Sequence, residues 1–469
     1  MRAIATARVL TVSVLAASVL TASVLSVGPL PAQTTVPGTA AEIALSFAPV
    51  VRQAAPAVVN IYATQVVPQS VSPFASDPFF SQFFGGADVA PRYQNSLGSG
   101  VILRGDGIVV SNYHVVGEAA AIRVVLSDRR EFAGEVILAD QKADIAVIRL
   151  KGAADLPALS FADSDKAAVG DLVLAIGNPF GIGQTVTSGI VSGLARSGIG
   201  RGEGYFIQTD AAINPGNSGG ALVDMEGRLL GLNTSILTRS GGSQGVGFAI
   251  PSNLVRQYVE QAEAGRTELA RPWSGIEVQP VDAAMAEALG MPAPRGVMIL
   301  RIHPDSPFAS AGLAEGDVLT SLGGLPVDAP QELEFRLGTL GVGGSAAIGF
   351  WRDGAEQTGQ IALAEAPGGD VRATAVAQGT VFDGLTVATL TPALGEKLGL
   401  PITASGVVVT AVGGPAVRTQ LLPGDIVTRV NGTVIRSPAD LDSALRSGGR
   451  QWQIDFSRGG QDAVIRLRR

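Results

Sequence analysis

Asn214-Pro215-Gly216-Asn217-Ser218-Gly219-Gly220 is the stretch on which the reading of this chain turns. Glycines around a serine let the backbone turn tightly enough to aim the N–H groups of Gly216 and Ser218 at one point, where a carbonyl oxygen becomes negative. Gly219 and Gly220 leave room beside the hydroxyl. A serine hydroxyl is a poor nucleophile until a neutral imidazole accepts its proton, and a carboxylate must then hold the imidazole tautomer and stabilise the cation. The chain has two histidines. His114, in Ser111-Asn112-Tyr113-His114-Val115-Val116, lies 30 residues before Asp144 in Ala143-Asp144-Ile145-Ala146-Val147-Ile148, and Asp144 lies 74 residues before Ser218. Singly, these could be a core histidine, a strand cap and an ordinary turn. Together, in this order, they supply base (His114), orienter (Asp144) and nucleophile (Ser218), and predict a serine endopeptidase. His303, followed by Pro304 and Asp305, reads as a surface turn residue.

At 469 residues the chain exceeds the size at which one core stops growing, which predicts two or three domains. With 60 glycines, 5% aromatics and short Val/Ile/Leu runs cut by Gly and Pro, a mainly β fold is expected. The net charge of −7, without a basic stripe, gives no reason to propose nucleic-acid binding, so polypeptide is the natural partner. No cysteines and two histidines make a thin supply of zinc ligands, so neither metal nor cofactor is expected. Residues 1–32, with Arg2, Arg8 and a long apolar stretch, read as an export signal whose removal would leave a charge of −9. Retained, the same stretch would be a membrane anchor, the one route to a membrane. Either way the remainder lies outside the cytoplasm, and a periplasmic setting fits.

A helix is expected near Ile43–Val51 and a first strand at Ala57–Tyr62, followed by a long aromatic-bearing loop over 67–94 that includes Phe79 to Phe84. About a dozen short strands from Gly98 to Ile250 suit a double β-barrel. Ser252 is the predicted N-cap of a helix stopped by Gly265, which bounds a first domain over 41–264. The remainder repeats: Gly275, Gly296, Asp317 and Leu333 answer to Gly384, Gly406, Asp425 and Leu441, with gaps of 21, 21 and 16 against 22, 19 and 16. Two small β-rich modules, 272–362 and 378–469, each with a helix carrying leucines four apart, are expected, with 364–380 as linker.

The segments around His114, Asp144 and Ser218, with Thr209-Asp210-Ala211-Ala212-Ile213 before the Gly-rich loop and Gly245-Val246-Gly247-Phe248-Ala249-Ile250 after it, resemble the HtrA (Deg, Do-like) periplasmic serine endopeptidases. The resemblance runs from about residue 41 to the C-terminus and implies a chymotrypsin/trypsin-like double β-barrel followed by two PDZ domains. It further implies homotrimers or multiples of trimers, acting without ATP on unfolded or damaged envelope proteins, with the aromatic loop regulating the site or supporting assembly. Enzymes of trypsin type that cut after Lys or Arg hold an acid six residues before the nucleophile. Here that residue is Ala212, so cleavage after small or branched apolar residues is expected. By resemblance Ile213, Ile236 and Val246 line the pocket, and the backbone of Asn233, Thr234, Ser235 and Ile236 pairs with extended substrate. Asn217 stands where zymogens of that type carry an Asp, and an uncharged amide cannot pair with a new N-terminus. Trp273-Ser274-Gly275-Ile276 fits a PDZ loop that captures peptide C-termini. In Phe382-Asp383-Gly384-Leu385 an acid stands near the carboxylate, so that copy is a candidate for assembly instead. The competing function is a chaperone or PDZ scaffold with little proteolytic turnover.

Overall fold

The structure, a computed structural model, describes residues 46–67, 92–178, 183–196, 205–214, 216–236, 245–447 and 449–468. The leader and most of the aromatic loop, 68–91, lie outside the described residues. The helix expected near 43–51 falls slightly later, as α1 (Ala48–Ala54). Among the described residues no helix is long and apolar enough to cross a membrane.

Six strands, β1 (Val58–Val67), β2 (Arg92–Arg104), β3 (Ile108–Ser111), β4 (Ala121–Val125), β5 (Glu131–Asp140) and β6 (Ile145–Leu150), close into a barrel in the order β1-β2-β3-β6-β5-β4. Pairing of β1 with β2 continues out to Val67↔Arg92, so both ends of the segment expected as loop, 67 and 92–94, are strand. Their polar composition hides the pairing, because what fixes an antiparallel ribbon is its backbone bonds. A single helical turn, α2 (Tyr113–Val116), follows β3.

A second barrel is built from β7 (Leu172–Gly177), β8 (Thr185–Arg196), β9 (Phe206–Thr209), β10 (Ala221–Val223), β11 (Leu229–Ile236) and β12 (Gly247–Pro251), in the order β10-β11-β12-β9-β8-β7. Runs such as Ile145-Ala146-Val147-Ile148 are buried on both faces because the strands bury one side in a barrel and the other against its surroundings. The helix α3 (Ser252–Glu263) ends as expected at Gly265, whose φ of +81° suits a residue without a Cβ. Its start differs from expectation. Ser252 is the first helical residue, not the cap, and its buried hydroxyl donates to the Ala162 carbonyl at 2.8 Å. Asn253 adds bonds to Asp163 and Asp165, so this end of the helix is fastened to the 162–165 loop.

The repeat is structural. The first module contains β13 (Ile276–Pro280), α4 (Ala283–Ala288), β14 (Val297–Ile302), α5 (Pro307–Ser310), β15 (Val318–Leu322), β16 (Leu325–Pro326), α6 (Pro330–Leu340), β17 (Ser345–Arg352) and β18 (Ala355–Ala362), with sheet order β13-β14-β15-β17-β18. The second has β19 (Thr374–Val376), β20 (Leu385–Thr389), α7 (Pro392–Leu398), β21 (Val407–Val412), β22 (Ile426–Val430), β23 (Thr433–Val434), α8 (Pro438–Ser447), β24 (Gln451–Arg458) and β25 (Gln461–Arg468), in the order β19-β20-β21-β22-β24-β25. The stretch expected as linker therefore contains a strand, β19, in a region too short and Ala-rich to show alternation. The repeated acids have one task. Buried Asp317 takes a charge-assisted pair from Arg352 on β17, and buried Asp425 takes one from Arg458 on β24 at 2.7 Å. Each acid also accepts the N–H three residues before it, from Ala314 and Leu422.

Candidate active site

His114 stands on α2, and Asp144 sits just before β6 with φ of +57°, a left-handed conformation that Asp tolerates better than most residues. The conformation is held by Asn112, whose buried side-chain amide donates to the Asp144 carbonyl at 2.9 Å. Both oxygens of the carboxylate are engaged. Oδ1 accepts the His114 backbone N–H at 3.0 Å, the imidazole Nδ1 lies 2.9 Å from Oδ2, and Thr234 Oγ1 donates to Oδ2 at 2.7 Å. A carboxylate bonded to Nδ1 leaves Nε2 as the lone-pair nitrogen, the tautomer a general base requires.

Ser218 joins this group through Thr234. Its hydroxyl donates to the Thr234 carbonyl at 2.9 Å, and among the described residues it makes no bond to the His114 ring. Of the three groups picked from the sequence, His114 and Asp144 are thus hydrogen-bonded to each other, while Ser218 is held beside them by the residue that also binds Asp144. Around the serine the chain is pinned on every side. The Ser218 carbonyl accepts the Ser99 N–H at 2.9 Å, and Ser99 Oγ donates to the Gly216 carbonyl at 2.7 Å while accepting the Asn178 N–H. Gly219 is close-packed: a Cβ there would stand 2.2 Å from the Ser99 carbonyl oxygen, and its φ is +82°. The N–H groups of Gly216 and Ser218, the pair expected to face an oxyanion, donate to no other group among the described residues. Asn217 is buried, and its Oδ1 has no partner among the described residues.

Of the residues expected to form the pocket, Ala212 is half-buried with its carbonyl accepting Thr187 Oγ1 at 2.9 Å. Ile213 is buried in the second-barrel core against Gly247, where a Cβ would lie 2.8 Å from Ile213 Cδ1. Asn233 is buried and exchanges backbone bonds with Gly219 and Gly220, which ties β11 to the serine loop. Val246 is half-buried, and Ser235 and Ile236 pair with Phe248 and Gly247; the side chains of 235 and 236 lie outside the described residues. Ser99, Ser111, whose hydroxyl donates to the Ser99 carbonyl at 2.7 Å, and the Thr234 hydroxyl are not legible in the sequence, since isolated Ser and Thr carry no pattern. The one signal was Leu97-Gly98-Ser99-Gly100, with glycines on either side of a serine.

In the first module Trp273 is buried and its N–H is spent on the Ala364 carbonyl, whereas the Ser274 and Gly275 N–H groups donate to nothing among the described residues. His303 donates its backbone N–H to Gly275, which by antiparallel alternation turns the N–H and carbonyl of Ile276 outward, to the open edge of β13. The His303 ring is half-buried against Trp273 at 5.2 Å and accepts the Asp305 N–H, so it is a turn residue with a packing role. A cavity of about 680 Å³ opens beside this loop, lined by Trp273, Ser274, Ile276 and the Glu334, Phe335 and Gly338 face of α6. Tyr205 closes one side of it, stacked on Phe335 at 4.2 Å, with its hydroxyl pushed up to about 12 by burial and by Glu332. Next to it Arg336 of α6 reaches Asp165 of the barrel domain at 2.5 Å. Among the described residues no group of three or more His, Cys, Asp or Glu side chains could hold a metal ion.

A family profile for the trypsin-like peptidase domain matches residues 98–232, and one for the PDZ domain matches 274–363. The chain is 40% identical over 409 residues to the periplasmic serine endoprotease DegP of Escherichia coli (strain K12), covering 85% of this chain and 82% of that one. It is 36% identical over 444 residues to the periplasmic pH-dependent serine endoprotease DegQ of the same strain, covering 93% and 95%. The solved HtrA-type protease AlgW with decapeptide superposes with a TM-score of 0.51 at 39% identity, covering 69% of this chain and all of that one. With two barrels meeting at a serine, a histidine and an aspartate, and PDZ modules behind them, the chain belongs to the HtrA (DegP/DegQ) family of periplasmic serine endoproteases.

Proposed function

We propose that this serine endoprotease hydrolyses unfolded or damaged envelope proteins without ATP, through an acyl-enzyme formed on Ser218. His114 takes the hydroxyl proton and later returns it to the leaving amine, Asp144 holds the imidazole and stabilises its cation, and the Gly216 and Ser218 N–H groups receive the oxyanion. The observation that carries this reading is the double use of Thr234, which binds Asp144 with its side chain and Ser218 with its carbonyl and so draws both to one cleft. A serine hydroxyl turns on one torsion between staggered positions, the motion by which it would leave Thr234 for His114. Ala212 and Ile213 supply an uncharged pocket, and products ending in Val, Ile or Ala are expected.

The second reading, a chaperone or scaffold with little turnover, draws on the same bond. With its hydroxyl on Thr234 the serine is not activated, and substrate must first turn it. Unfolded casein separates the two. Cleavage that disappears in Ser218→Ala supports the protease, and suppression of aggregation without cleavage supports the chaperone. Products ending in Lys or Arg would refute the pocket assignment. Light scattering with and without casein tests the trimer, or multiples of it, that the family resemblance implies.

A further inference from the structure

The two modules treat corresponding edges differently. In the first, β13 is the outermost strand, and the Ser274 and Gly275 N–H groups are unspent among the described residues. In the second, β19 lies outside β20, antiparallel to it, with Thr374↔Val387, Ala375↔Thr386 and Val376↔Leu385 paired. Gly384 answers to Gly275, so Leu385 answers to Ile276, and β19 runs along the edge at which an extended peptide would add. Its direction is that of a peptide whose C-terminus meets the loop, since Val376 pairs with the first residue of β20.

Donors of the loop are partly occupied too, although the Gly384 N–H, which answers to that of Gly275, donates to nothing among the described residues. The Phe382 N–H goes to Thr380 Oγ1 at 3.1 Å, the Asp383 N–H to the Thr380 carbonyl at 3.1 Å, and the Leu385 N–H to the Phe382 carbonyl at 2.9 Å. Thr380 thus presents two oxygens to the start of this loop in a local turn, and its carbonyl takes the N–H of Asp383, the counterpart of Ser274. On the helix side, Leu441 answers to Leu333, which sets Asp442 and Arg446 at the places of Glu334 and Gly338, both of which line the first module's cavity. Asp442 accepts the Ala377 N–H at 2.6 Å, and Arg446 donates to the Gln378 carbonyl at 3.3 Å. Val376 and Ala377 are fully buried.

We propose that Thr374–Thr380 is a tethered ligand of the second module, lying in the groove where the first module takes the C-terminus of another polypeptide. The inference rests on reading the β13 edge as that peptide acceptor. A tethered segment competes at an effective concentration on the order of millimolar, so a peptide supplied in trans binds the second module about 100-fold more weakly than it binds once the segment is released. The competitor that fits is an extended peptide ending in a free carboxylate after a small β-branched residue.

The test is hydrogen exchange read by mass spectrometry on the full chain, with and without the synthetic pentapeptide Arg-Ala-Thr-Ala-Val, the sequence of 372–376. In the native chain the 374–376 amides are expected to be protected, and the peptide to slow exchange at 274–280 only. In Asp442→Ala/Arg446→Ala, exchange at 374–376 rises at least tenfold and the peptide also slows 385–389. Because the chain has no cysteines, Ala375→Cys with Thr386→Cys gives a reversible lock that keeps β19 seated. Unprotected 374–376 amides in the native chain, or peptide protection of 385–389 with the lock closed, would overturn the proposal. Failure to protect 274–280 sinks instead the reading of the first module, and leaves exchange at 374–376 to decide the tether.

Discussion

Ser218 is hydrogen-bonded to Thr234: the serine hydroxyl donates to the threonine carbonyl at 2.9 Å, and the threonine hydroxyl donates onward to Asp144 at 2.7 Å. One residue therefore fixes the acid and parks the alcohol. Thr234→Val keeps the shape and the carbonyl but removes a donor to a carboxylate, an interaction worth ~1.5–3 kcal/mol. The expected result is a fall in kcat of about 10- to 100-fold with KM nearly unchanged, and recovery in Thr234→Ser. Steady-state kinetics on a fluorogenic peptide with Val before the scissile bond would check it. A kcat within twofold of native would remove Thr234 from the machinery.

Gly247 lies so close to Ile213 that Gly247→Ala must displace the Ile213 side chain or the strand. Because overpacking of this kind costs ~1–3 kcal/mol, kcat/KM for a Val substrate should drop about tenfold while melting falls only a few degrees. Parallel kinetics and calorimetry test this. Unchanged specificity would place Ile213 outside the pocket.

Arg336 holds α6 to the barrel domain through Asp165, and its removal leaves Asp165 and the buried Glu332 without their cation. Arg336→Ala is expected to cost about 3 kcal/mol and to loosen the first module, and Arg336→Lys to recover part of that. Scanning calorimetry together with limited proteolysis between 264 and 272 would report it. No change in either would make the contact incidental.

Two carboxylates, half-buried Asp140 and surface Glu396, predict opposite pH behaviour. Burial pushes Asp140 up, but the Tyr258 hydroxyl at 2.6 Å and Arg271 at 2.9 Å outweigh it, and its carboxyl titrates below the usual range. The stability it contributes is therefore present above the unfolded value of roughly 4 and is lost as pH falls through the depressed folded value. Asp140→Asn should lower the melting temperature at pH 7, and the gap to native should begin to close only below about pH 4 and vanish once pH is below the depressed folded value. Glu396, though exposed, titrates above its usual range because desolvation by the protein around it outweighs the attraction of Arg271 and Lys142. The folded state favours its protonated form, so stability declines as pH rises from the ordinary value of ~4.3 through the raised one. Glu396→Gln should melt higher at pH 7, and thermal scans across pH would show whether the two variants move in opposite directions.

The sequence shows most clearly what depends on pattern and order. Strand-length apolar runs mark both barrels, and the spacing of Gly, Asp and Leu marks the modules. Both are legible because burial and tight turns constrain residue type. Ser252 was misplaced because its hydroxyl bonds tertiary structure at Ala162 instead of its own helix. Strand β19 was missed because three residues of Thr-Ala-Val have no period, and only its partner β20 gives it a role. Arg352 and Arg458 were invisible although the acids they pair with were found, since a conspicuous glycine precedes each acid and nothing flags an arginine at the end of a strand.

Each PDZ-type module is clasped by a non-covalent pair, Asp317 with Arg352 and Asp425 with Arg458, in a chain that contains no sulfur able to bridge. A thiol reductant, or loss of the oxidising machinery that surrounding proteins depend on, finds nothing here to break. A protein so made keeps its shape through the same redox upset that unfolds its disulfide-bonded neighbours.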